Sequence, residues 1–361
     1  MADVKLVGEI LSAGWASGEA PVIADFEKAM CDFTGRKHAI AVNSGTSALD
    51  IAVASLDLHT GDEVVIPSLT IISCLNEVLR SGARPVFVDV DPLTWNVTAE
   101  ALGRAFTTKT KAVIVPHIYG LPADIRDIEH LCYEHAVTLI EDTAEGLGLE
   151  IAGRKAGSFG QISTLSFYAN KVITSGEGGM VLVDDSDHAE RLRRLRNLGF
   201  NSKRRFVHGE LGWNYRMPAL SAALGLSQAN RIDDLLAHQI ARGQHYQELL
   251  ADTPNIQLPA DSAGGSDNIY WVFGIVVNSH DGTNARFAMD ELAKLNIGSR
   301  PFFYPLHSQP VLENFGWHTQ PVLSVSENLG ERGFYIPSLG TTKEQRVEVA
   351  SAVKDIAQKL A

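Results

Sequence analysis

The sequence predicts an α/β fold, with a mostly parallel central sheet in a large domain and a smaller C-terminal α+β domain. Three observations carry this. Short β-branched runs recur through the first half, most of them apolar on both faces, as strands covered on each side should be. Helical patterns lie between several of these runs, and alternating strand and helix implies a parallel sheet. Past about residue 231 the texture changes to a long helical stretch followed by mixed strand and helix. The division expected is a large domain over residues 1–235 and a small one over 236–361.

The strands read in order as EVVIP (63–67), RPVFVDV (84–90), KAVIVPHIYG (111–120), VTLIED (137–142), STLSFY (163–168) and GGMVLVDD (178–185). The helices between them are SALDIAVASL (47–56), TIISCLNEVLRSG (70–82), whose Gly82 suits a C-cap, and DIRDIEHLCYEHA (124–136). Residues from MPALSAALG to YQELL (217–250) read as one long helix joining the domains. YWVFGIVV (270–277) then reads as a strand, and ARFAMDELAKLN (285–296) and KEQRVEVASAVKDIAQKL (343–360) as helices.

The chain has 361 residues, enough for a sizeable buried core. A net charge of −12 argues against non-specific binding to nucleic acid or anionic membranes. The one basic run, Arg191 to Arg205, reads as a solvated helix face and loop, or as a patch near an anionic substrate. Cys31, Cys74 and Cys132 are widely spaced and show no disulfide framework or metal-ligand spacing. The opening MADVKLVGEIL lacks the pattern of a signal peptide, and no apolar run is long enough to span a bilayer. A reduced, cytoplasmic protein is expected.

Four features fall at strand ends or loop starts, where such sheets bind ligands. VNSGTSALD (42–50) runs small polar residues into a helix, whose N-terminal N–H groups suit a phosphate; Ser and Thr there serve equally as ordinary N-caps. In IEDTAEGLG (140–148), Glu141 and Asp142 close an apolar strand, each either a loop-facing cap or a buried functional group. In SFYANKVITSGEGG (166–179), Lys171 sits between an apolar strand and glycines. A desolvated lysine becomes nucleophilic toward carbonyls, whereas a solvent-facing loop lysine is the commoner fate. The glycines either let backbone approach a ligand or turn the chain into the next strand. In GWNYRMPAL (212–220), Asn214 and Arg216 sit beside aromatic residues before a helix. In this order, an anion site, a strand-end acid and a lysine are what pyridoxal phosphate needs.

On these motifs the sequence resembles the DegT/StrS-like sugar aminotransferases, which are fold-type I pyridoxal-phosphate enzymes. The resemblance spans nearly the whole chain. It implies that NSGTSAL binds the cofactor phosphate through Gly45 and Thr46, with Ser166 a further phosphate ligand. It makes Asp142 the partner of the pyridinium nitrogen, places Glu145 near the phenolic oxygen, and makes Lys171 the residue that forms the Schiff base. Asn214 would reach the phosphate of the neighbouring subunit, which implies a homodimer with shared active sites. Ile71 stands where members usually carry an aromatic residue stacked on the cofactor ring; it would cover the ring by dispersion alone. The chain is expected to enter its first helix with little of the family's leading segment.

The resemblance implies pyridoxal 5′-phosphate as cofactor, with pyridoxamine phosphate as its intermediate form. Glutamate is the implied donor and the 4-keto carbon of a nucleotide-linked 6-deoxysugar the acceptor. Resemblance in AGWASGEAP, Glu145, FYANKVITSGEGGM and IGSRPFFYPLHSQP implies a GDP-linked sugar, with UDP- or dTDP-linked ones the alternative. Arg300, Tyr304 and His307 of the last stretch are the substrate candidates, Arg300 alternatively a structural ion pair and His307 a satisfied core histidine. Related sugar dehydratases carry histidine in place of the lysine, so Lys171 points to transamination. A non-catalytic regulator on this fold would carry a DNA-binding module, for which the acidic chain shows no segment.

Overall fold

The structure is a computed structural model that describes residues 2–200, 204, 206–279, 282, 284–317 and 321–360. Its central sheet has seven strands in the order His38–Val42, Gly179–Val183, Ile162–Ser166, Thr138–Asp142, Thr110–Pro116, Glu63–Pro67 and Arg84–Val88. All neighbours run parallel except that Gly179–Val183 is antiparallel to both of its partners.

Alternation along each strand divides the core. Val65, Val113, Val115, Leu139 and Leu165 face one layer of helices, including Pro21–Thr34 and Ala219–Ala229. Ile66, Ala112, Ile114, Ile140 and Ile162 face the other, made by Gly45–Ala54, Ser73–Arg80 and Ser186–Arg196. With both faces covered, apolar residues at successive positions are what the strands require.

A second sheet is wholly antiparallel, in the order Ile256–Gln257, Phe273–Val277, Gly333–Ile336 and Arg300–Pro301. Helices Ile232–Leu250, Ala285–Lys294 and Lys343–Gln358 enclose its core. The first of these belongs to both units: Ile232 and Leu236 sit in the large core, Tyr246 and Leu250 in the small one. Residue 235 lies within it.

The single long helix expected over 217–250 is instead two, Ala219–Ala229 and Ile232–Leu250. The break falls at Arg231, whose backbone leaves the helical region (φ −132°, ψ 21°). Its guanidinium reaches Asp3 at 2.6 Å and the Ser227 carbonyl at 3.2 Å, an anchoring to the N-terminal helix that local sequence does not announce. The run 84–90 pairs only to Val88, and 111–120 leaves the sheet at Pro116 for a short 3₁₀ turn. His38–Val42 is a strand that periodicity left unread.

Three described arginines of the basic run are paired with carboxylates. Arg191 bonds Asp57 at 2.7 Å, Arg194 bonds Glu210 at 2.7 Å, and Arg196 bonds Glu27 at 2.8 Å. Lys203 and Arg205 lie outside the described residues. Among the described residues, no helix is long and apolar enough to cross a membrane.

Candidate active site

The strand Thr138–Asp142 ends on two carboxylates that alternation sends to opposite sides of the sheet. Glu141 follows Leu139 into one core and is fully buried. It accepts from the N–H groups of Gly157 (2.7 Å), Phe159 (2.8 Å) and Gly160 (3.0 Å), from the Ser163 hydroxyl (3.1 Å), and meets His117 Nε2 at 3.1 Å. Burial by itself would raise its carboxyl; the His117 contact and the backbone donors outweigh it and hold it down to about 2. Every acceptor site is occupied, so Glu141 is a structural anion.

Asp142 follows Ile140 to the other face. Its Oδ1 accepts from Ala144 N–H at 3.1 Å and Thr164 Oγ1 at 3.2 Å, while Oδ2, among the described residues, meets only the Cys74 thiol at 3.5 Å. Burial raises its carboxyl, an effect that the Ala144 N–H and Lys171 oppose. A cation beside Oδ2 would relieve it.

The anion cradle is the start of helix Gly45–Ala54. Ser44 caps it, its hydroxyl accepting from Ser47 N–H at 3.0 Å, and Thr46 Oγ1 lies 2.8 Å from Ser73 Oγ at the head of the next helix. Gly45 has no room for a side chain: a Cβ would lie 2.9 Å from Ser166 Cβ and 3.1 Å from its Oγ. Gly179 answers one question about the glycine cluster, since a Cβ there would lie 2.7 Å from the Gly45 nitrogen. That glycine lets the cradle's own backbone close over the sheet.

Lys171 stands on the loop between antiparallel strands Ile162–Ser166 and Gly179–Val183. The loop is tied at its base by Phe167 N–H to Gly178 O (2.8 Å) and Ser175 N–H to Phe167 O (2.9 Å). The lysine side chain is only 11% exposed, and Nζ lies 4.0 Å from Glu145 Oε1 and 3.6 Å from the centroid of the Trp271 ring. Burial lowers its pKa, against the pull of Glu145 and Asp142. Glu145 Oε2 accepts from Tyr119 N–H at 2.9 Å; burial pushes this carboxyl up to about 7 despite Lys171. The setting is aromatic and acidic rather than glycine-lined.

These groups line one cavity of about 360 Å³. Gly45, Thr46, Asp142, Glu145, Ser166 and Lys171 all line it. Ile71, 40% exposed, and Arg300 line it too. Tyr304 does not line it and is 59% exposed. His307 also lies off the cavity: Nδ1 meets Ser68 Oγ at 2.6 Å and Nε2 meets Glu327 Oε1 at 3.0 Å, the arrangement of a satisfied core histidine. Asn214 is exposed and away from this cavity, its backbone bridged to Asn197, while the Arg216 side chain donates to Asn197 Oδ1. The sequence reading missed Trp271, Tyr119, Ser73, Glu177 and Tyr335. Of these only Ser73 follows a legible signal, the start of a helix.

The chemistry of this donor set fits pyridoxal phosphate. Helix-terminal N–H groups and hydroxyls converge where a Cβ on residue 45 would intrude, and they would hold the phosphate. Asp142 Oδ2, beside the Cys74 thiol, would hold the protonated ring nitrogen; Lys171 would take the aldehyde, and Ile71 would cover the ring.

Comparison with known proteins agrees. The chain matches the DegT/DnrJ/EryC1/StrS aminotransferase family over residues 2–354. It is 36% identical over 352 residues to GDP-perosamine synthase from Vibrio cholerae, covering 97% of this chain and 95% of that protein. It is 36% identical over 347 residues to GDP-perosamine synthase from Caulobacter vibrioides, covering 96% and 93%. Among solved structures, the aminotransferase TlmJ from Streptoalloteichus hindustanus superposes with a TM-score of 0.93 at 26% identity, covering 100% of this chain and 97% of that one.

Proposed function

Because the chain belongs to the DegT/DnrJ/EryC1/StrS aminotransferase family, a family of pyridoxal-phosphate enzymes, we propose that it moves an amino group from glutamate to the 4-keto carbon of GDP-4-keto-6-deoxymannose, giving GDP-perosamine. The observation that carries the enzyme class is Lys171, buried at 4.0 Å from Glu145 in the cavity that Asp142 and the Gly45 cradle also line. The substrate reading rests on the near full-length likeness to GDP-perosamine synthases.

Bound in the cavity, pyridoxal phosphate supplies an electron sink for loss of a proton from the donor's Cα. Asp142, buried with its Oδ2 open to the cavity, holds the ring nitrogen protonated. Thr46, Ser166 and the N–H groups at the head of Gly45–Ala54 fix the phosphate, which sets the ring's register against Lys171. Lys171, its pKa lowered by burial so that more of the amine is unprotonated at neutral pH, takes the Cα proton and returns one on the other side of the transfer. Glu145 faces that amine and, when protonated, donates toward the ring's oxygen side.

Arg300 is the fixed cation at the cavity wall and takes an anionic part of the substrates. Asn214, exposed and off its own cavity, serves the phosphate of a neighbouring subunit, which makes the working unit a homodimer. The large and small domains divide near residue 235, inside the helix both cores share.

The direct test supplies pyridoxal phosphate, glutamate and each of GDP-, UDP- and dTDP-linked 4-keto-6-deoxysugars, with products read by mass spectrometry. Conversion of the GDP-linked sugar to its amine is expected. Conversion of only a UDP- or dTDP-linked sugar would overturn the substrate, and conversion of none would overturn the function.

A further inference from the structure

Lys171 rests on an aromatic face delivered from the segment just before the strand Phe273–Val277. Its Nζ lies 3.6 Å from the Trp271 ring centroid, well inside the reach of a cation–π contact. The indole is fixed in place. Its Nε1 donates to the carbonyl of Asn170, the residue before the lysine, at 2.9 Å, and the ring stacks at 20° on Tyr119.

The backbone that presents it is held in conformations that side chains rarely adopt. Tyr270 has φ 50° and Tyr119 has φ 56°, and such residues persist only where their surroundings over-determine them. Tyr270 N–H donates to Asn268 Oδ1 at 2.6 Å and its hydroxyl to Asp261 Oδ1 at 2.6 Å. Gly120, at φ 94°, makes the approach possible, since a Cβ there would lie 2.6 Å from the Trp271 nitrogen.

We propose that Trp271 is a positioning residue whose indole face docks the Lys171 ammonium when that amine is free and has taken its proton, favouring the half of the reaction in which the lysine is free. The proposal rests on the reading that Lys171 carries the cofactor. The charged groups around the amine are Glu145 and Asp142, with Glu177 and Arg300 lining the same cavity. Each carboxylate helps the ammonium only while it is ionised, and Glu145 is a weakened acid here. The indole attracts the ammonium without itself titrating, so the dock persists as Glu145 takes a proton. The amine keeps all its bonds in this step; only its non-covalent partner changes.

The test is an equilibrium. Holoenzyme is poised with fixed ratios of glutamate and 2-oxoglutarate, and the visible cofactor band reports the division between lysine-linked and lysine-free forms. Trp271→Leu should move the balance toward the lysine-linked form by about tenfold, and Trp271→Phe, with a weaker π face, by about threefold. Thermal unfolding shows which variants fold; if Trp271→Leu does not, Trp271→Phe decides alone. A balance within about twofold of the parent in every folded variant, or a shift the other way, overturns the dock. If glutamate fails to move the band in the parent protein, it is the functional reading that falls.

Discussion

Gly45 and Ser166 approach so closely that a methyl group on residue 45 would lie 2.9 Å from the Ser166 Cβ. The contact joins the head of the helix Gly45–Ala54 to the end of the strand Ile162–Ser166, and so sets two walls of the cradle at once. Gly45→Ala must displace one of them, an overpacking strain of about 1–3 kcal/mol. The expected result is a dissociation constant for pyridoxal phosphate raised about tenfold or more, with little change in far-ultraviolet circular dichroism. An equilibrium titration reads this directly, and unchanged affinity would remove Gly45 from the cradle.

Glu141 ties strand Thr138–Asp142 to the turn at 157–160, and its value is structural. Its folded carboxyl is held near 2 against an ordinary 4.5, so the folded state binds fewer protons than the unfolded one between those values. The stability it gives is present above about pH 4.5 and is lost as pH falls toward 2. Glu141→Gln should cost about 3–5 kcal/mol at neutral pH, because buried donors lose their anion. Urea unfolding across the acid range should show a flatter pH dependence in the variant, and an equal slope would contradict the assignment.

Asp142 behaves in the opposite way. Burial raises its carboxyl, so removing the charge relieves the ligand-free fold instead of breaking it. Asp142→Asn should keep the thermal midpoint while slowing the half-reaction with glutamate by about 10²–10³-fold, the scale of losing one preorganised electrostatic partner. Stopped-flow absorbance would report a near-normal rate if the role were wrong.

Asn214 tests subunit sharing. Asn214→Ala and Lys171→Ala proteins, each impaired alone, are mixed after reversible dissociation. Each hybrid dimer would contain one intact site, and about a quarter of the parent activity should return on random reassortment. No recovery would place Asn214 outside the neighbour's site.

The sequence made one part of this site legible and hid another, for a physical reason. Asp142 and Lys171 were readable because each interrupts an apolar run with a charge that needs a purpose. The Gly45 cradle was readable because small polar residues ran straight into a helix. Trp271 and Tyr335 were not, because they come from segments of the second sheet that reach the cavity only when it closes against the first. Lys171 therefore looked glycine-lined in sequence and is aromatic-lined in space. Of the two readings open to His307, its bonds to Ser68 and Glu327 off the cavity fit that of a satisfied core histidine. The helix break at Arg231 had no proline or glycine to mark it, and Arg231 there pairs with Asp3, at the far end of the chain.

The most direct measurement of the central claim is the visible spectrum of the purified protein with pyridoxal phosphate, first alone, then with glutamate, then with GDP-4-keto-6-deoxymannose. The account predicts a lysine-dependent band, absent in Lys171→Ala, that glutamate bleaches and the keto-sugar restores. A protein that forms no such band, or a band that glutamate leaves untouched, would contradict it.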